Sequence, residues 1–89
     1  MKLDVFDTYI SQNNGGQMHF DVLLPQGSAK HEAEKFAALW LESIGIQADN
    51  IRLDQCRFCH SEIAYPEIEQ AVSRHGYAIL QMEGCPSPV

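Results

Sequence analysis

The sequence predicts an α+β fold: a single compact domain over residues 1–89 with element order ββαβαβ, a four-stranded mixed sheet and two helices packed on it. Three observations carry this reading. Two β-rich stretches flank Asn13-Asn14-Gly15-Gly16, whose residues tolerate positive φ and signal a hairpin turn. Apolar residues then recur at i, i+3 and i+4 over residues 28–44, the period of an amphipathic helix. Finally, a chain of 89 residues is one domain's worth, enough to bury about 60–65 % of its unfolded surface in one modest core.

Residues 2–10 are rich in β-branched and aromatic types and read as the first strand. The second, 17–24, alternates Met18, Phe20, Val22 and Leu24 with Gln17, His19, Asp21 and Leu23. A three-residue loop at Asn14-Gly15-Gly16 would pair Phe20 with Ile10, Val22 with Thr8 and Leu24 with Phe6, keeping apolar opposite apolar. That parity gathers Asp7, Tyr9, His19 and Asp21 on the opposite face as a candidate surface for a protein partner or small ligand. A solvated sheet face is the plainer account of the same residues.

Ser28 is a suitable N-cap for the first helix. Ala33, Phe36, Ala37, Trp40, Leu41 and Ile44 form its core stripe, and Gly45 closes it at C′. Ile51-Arg52-Leu53 begins a short third strand that runs into Cys56-Arg57-Phe58-Cys59-His60. Pro66 suits the first turn of a second helix, with Ile68, Ala71 and Val72 inward and Gly76 at its end. Residues 77–82 form the fourth strand, and Pro86 and Pro88 prevent its continuation.

Charge narrows the function classes. Twelve acidic against 6 basic residues give a net charge of −6, with no basic run, which disfavours nucleic-acid and membrane-surface binding. No apolar run approaches membrane-spanning length, and the first residues lack a secretory signal pattern, so a cytoplasmic location is expected. Thiols there are kept reduced, and three cysteines then point to metal, redox chemistry or plain burial.

The strings Val5-Phe6-Asp7-Thr8-Tyr9, Met18-His19-Phe20-Asp21-Val22, Cys56-Arg57-Phe58-Cys59-His60-Ser61 and Met82-Glu83-Gly84-Cys85 span nearly the whole chain. Together they resemble a family of small bacterial proteins classed as a domain of unknown function. The resemblance implies a compact α+β domain of ββαβαβ type and no particular activity.

The cysteines are the densest reactive chemistry. If the third and fourth strands are parallel neighbours joined by a crossover helix, Cys56, Cys59 and Cys85 meet at one sheet edge. A zinc ion held by those thiolates, with His60 or His19 completing four ligands, is the sharp reading. A thiol redox protein using Cys56-x-x-Cys59 is the alternative, although the second helix begins several residues downstream. The Cys-x-x-Cys-His string of haem attachment requires an export signal, which is lacking here. Buried cysteines acting as small hydrophobes are the bland account. There is no nucleophile elbow and no phosphate loop, so a non-enzymatic binding or accessory role is expected and catalysis is left open. Self-association, if it occurs, is expected as a homodimer through a free sheet edge.

Overall fold

The computed structural model describes residues 1–82. Strands β1 (Lys2–Gln12) and β2 (Gln17–Pro25) form a hairpin, followed by helix α1 (Lys30–Ser43), a 3₁₀ turn (Ala48–Asn50), strand β3 (Ile51–Ile63), helix α2 (Pro66–His75) and strand β4 (Ala78–Gln81). The order ββαβαβ is as expected. The sheet order is β3-β1-β2-β4 and every pairing is antiparallel, so the expected mixed sheet is corrected. The crossover through α2 does not make β3 and β4 parallel neighbours; it carries the chain across the whole sheet, from one edge to the other. The central hairpin offers two free edges, and each later strand takes one.

The hairpin register is Phe6 with Val22, Thr8 with Phe20 and Ile10 with Met18, two residues from the expected one. The turn is one residue earlier: Gln12 N–H donates to Gly16 O at 2.7 Å and Gly15 N–H to Gln12 O at 2.9 Å. Gly15, at φ +91°, takes the left-handed position that an Asn-Asn-Gly loop requires. Because the shift is even, no side chain changes face.

The two helices cover opposite faces. On one, Phe6, Ile10, Met18, Phe20, Val22 and Leu24 pack under Ala33, Ala37, Trp40 and Leu41 of α1, with Phe36 and Ile44 at the margin. Phe20 and Trp40 meet with ring centroids 4.7 Å apart. On the other, Leu3, Val5 and Leu23 pack with Val72 and Ala78, flanked by Ile68 and Ala71 of α2. The α1 stripe is therefore as the periodicity required. Its start is one position later than expected: Ala29 is the N-cap, while Ser28 Oγ donates to Pro25 O at 2.6 Å and closes the preceding turn. Gly45 ends the helix in a Schellman arrangement, with Ile46 N–H donating to Leu41 O at 2.9 Å. Among the described residues, no helix is long and apolar enough to cross a membrane.

Helix α2 is short and covers only the end of its face that carries Leu3, Val5 and Leu23. The remainder of that face is where the polar residues of the hairpin fall.

Ile10 and Leu53 are cross-strand partners on the α1 face, yet Ile10 is 1 % exposed and Leu53 39 %. Urea unfolding is expected to show Ile10→Val costing about 1 kcal/mol and Leu53→Val less than about 0.5 kcal/mol.

Candidate functional site

Asp7 and Asp21 are direct cross-strand partners, as are Tyr9 and His19. The four side chains that alternation placed on one face are thus together, beyond the end of α2. His19 Nε2 lies 2.6 Å from Asp7 Oδ1 and 3.9 Å from Asp21 Oδ1. One donor atom from each of Asp7, His19 and Asp21 lies within 4.8 Å of the others. The Tyr9 ring stacks on the imidazole with centroids 4.1 Å apart and planes 9° apart, which fixes the orientation of the ring.

The two carboxylates are not equivalent. The hydrogen bond from His19 holds the Asp7 carboxyl below the usual carboxylate range, so Asp7 is the anion and His19 Nε2–H the donor. Asp21 sits on a central strand between Phe20 and Val22, with Leu80 of β4 opposite it, and is only 7 % exposed. Burial, reinforced by the neighbouring Asp7, pushes its carboxyl up to about 6. Among the described residues, its Oδ1 is buried without a hydrogen-bond partner. An unpartnered buried carboxylate oxygen is costly, typically about 1–3 kcal/mol, and is uncommon unless something else satisfies it. Arg57, opposite Asp7 on β3, adds a positive charge beside the cluster, and an open hollow runs from Asp7 and Tyr9 past Gln55 and Arg57.

The chain's similarities bear on this arrangement. A family model described as "Domain of unknown function (DUF2024)" matches residues 1–82. The chain belongs to that family. The NMR structure of protein NE1680 from Nitrosomonas europaea is 42 % identical to this DUF2024 chain, covers 97 % of it and 100 % of its own length, and superposes with a TM-score of 0.80. No curated protein matches. The family and the fold follow from these likenesses.

The cysteine packet of this DUF2024 chain is arranged differently from expectation. It lies inside β3, a 13-residue strand instead of the short one expected, so Cys56 and Cys59 are spread along extended backbone. Cys56 is buried on the α1 face with Phe6 and Trp40, and Thr8 Oγ1 donates to its sulfur at 3.6 Å. Cys59 is exposed at a register shift opposite Val5 and Phe6. His60 lies opposite Val5, on the far face from Cys56, with its Nε2 3.2 Å from Glu62 Oε2. His19 is on that far face too. The sheet separates the Cys56 sulfur from both histidines, so the expected sharing of one ion by these groups has lost its geometric ground. Convergence with Cys85 rested on adjacent β3 and β4, which stand at opposite edges; Cys85 itself lies outside the described residues.

Sequence reasoning located the four hairpin residues but not the distinct state of Asp21. The available signal was an acid inside the apolar run Phe20-Asp21-Val22-Leu23-Leu24.

Burial pushes the Cys56 thiol up, keeping it a poor nucleophile. In a Cys85→Ser background, thiol alkylation of the folded protein is expected to modify Cys59 within minutes and Cys56 only on unfolding, read by peptide mass spectrometry. The Asp21 carboxyl, raised from 3.8 to about 6, binds its proton more tightly folded than unfolded. Its contribution therefore lowers stability as pH rises from about 4 to 6 and is flat above. Asp21→Asn is expected to remove that slope and to stabilise the metal-free protein at pH 7 by roughly 1–3 kcal/mol, measured by urea unfolding across pH.

Proposed function

We propose that this protein is a divalent-cation-binding domain whose ligands are Asp7, His19 and Asp21. The observation that carries the reading is the buried Oδ1 of Asp21, which has no hydrogen-bond partner among the described residues and is set beside an imidazole nitrogen and a second carboxylate. Two oxygens and one nitrogen suit borderline ions such as Zn²⁺, Mn²⁺ or Fe²⁺ better than a soft thiolate-seeking ion. Tyr9 stacking on His19 supplies the outer support that holds a ligating ring in place. Three protein ligands also leave at least one coordination position for water or a small ligand.

The ion replaces protons. His19 Nε2 must give up the hydrogen it donates to Asp7, and Asp21 must ionise. A cation would compensate both the mutual repulsion of the carboxylates and the burial of Asp21. This makes the site unfavourable when empty and favourable when filled, which a purely structural ion pair is not.

Titration of the full chain with Zn²⁺ and with Mn²⁺ by calorimetry is expected to give one ion per chain for at least one of them. Affinity should rise with pH up to about 6, where Asp21 ionises. Asp21→Asn and His19→Gln should each weaken binding by at least about tenfold, while Cys59→Ser and Cys85→Ser leave it unchanged. An ion held by the cysteines would reverse that pattern and overturn the proposal, as would failure of both metals to bind.

A further inference from the structure

Strand β3 is an edge strand for its whole length of 13 residues, pairing only with β1 among the described residues. It is also exposed: on its α1 side Leu53, Phe58 and Ile63 are 39 %, 53 % and 74 % exposed. A long edge carrying three open apolar side chains is an unusual surface for a small protein to leave bare.

Its charges say what would fit. When β3 is laid antiparallel to a second β3 about a two-fold axis through Arg57, Arg52 of each copy faces Glu62 of the other. Asp54 then faces His60, Ile51 faces Ile63 and Cys56 faces Phe58. The faces agree as well as the charges. Arg52 and Glu62 stand opposite Ser11 and Leu3, on the α2 side of the sheet, while Cys56 and Phe58 stand opposite Thr8 and Phe6, on the α1 side. Directly opposed residues of antiparallel strands must share a face, and these do. Shifting the centre to Phe58 would set Asp54 against Glu62, a like-charge pair. At the chosen centre the two Arg57 side chains meet, but each has Asp7 opposite it on β1, so the positive pair is bracketed by two carboxylates.

We infer that this chain self-associates through β3, two copies pairing edge to edge in the register centred on Arg57 to make one continuous eight-stranded antiparallel sheet. The register shifts between Val5 and Phe6 and between Tyr9 and Ile10 fall on either side of that centre. They leave the segment around Arg57 regular. A heterologous strand carrying the same charges would be a different occupant, and the self-complementarity is what favours a second copy.

The inference is independent of the metal proposal, since none of the residues varied below is a proposed ligand. Sedimentation equilibrium of the full chain over roughly 10–500 µM is expected to show a reversible dimer. Arg52→Glu and Glu62→Arg should each raise its dissociation constant at least about tenfold by placing like charges opposite one another, and R52E/E62R should restore it. Far-UV circular dichroism checks that each variant is folded. As a second measurement, Gln55→Cys should form a disulfide with Cys59 of the other copy under mild oxidant, because this register sets those positions opposite each other. A monomer throughout the range, a dimer indifferent to the single charge reversals, or a double reversal that stays dissociated would overturn the inference.

Discussion

The antiparallel pairing of β1 with β2 is the constraint on which the rest of the molecule depends. These two strands are central, and at one end both their faces are apolar: Phe6, Val22 and Leu24 on one side, Leu3, Val5 and Leu23 on the other. A hairpin of that kind cannot be stable with one face open, so it recruits a helix to each side. Its two edges remain free to accept β3 and β4. The sheet order then follows from the hairpin's centrality, and the long connection through α2 is its consequence.

The same hairpin creates the electrostatic anomaly. Along one face the pattern changes from apolar under α2 to polar beyond it, and Asp21 falls at the boundary, on a central strand where solvent does not reach it well. The register then sets a second acid, Asp7, directly opposite, with His19 within hydrogen-bonding distance of it. Strand geometry thus concentrates two negative charges where the surroundings penalise at least one of them. Real folds accept such local conflict chiefly where a ligand relieves it, and that balance is the physical content of the cation-binding proposal.

The cysteines illustrate the opposite case. A Cys-x-x-Cys string reads as a site only if a turn folds the two thiols toward each other, as it does in metal knuckles. Here β3 continues through the string, one sulfur enters the core under α1 and the other meets solvent. The identical residues carry different chemistry because the backbone is extended where a knuckle would be bent.

Much was legible in the residues themselves. The element order, the α1 stripe from Ala33 to Ile44, the glycine stops at Gly45 and Gly76, and the shared face of Asp7, Tyr9, His19 and Asp21 all follow from local periodicity and turn chemistry, whose range is a few residues. The exact hairpin register was not so determined, because Asn13-Asn14-Gly15-Gly16 admits its three-residue loop at two positions; only the parity was forced, by the need to keep Phe20 and Val22 inside. Which edges β3 and β4 occupy, the length of β3 through Cys56 and Cys59, and the burial that sets Asp21 apart from Asp7 were decided by the tertiary structure. Each of these depends on contacts between residues tens of positions apart, about which no local pattern carries information.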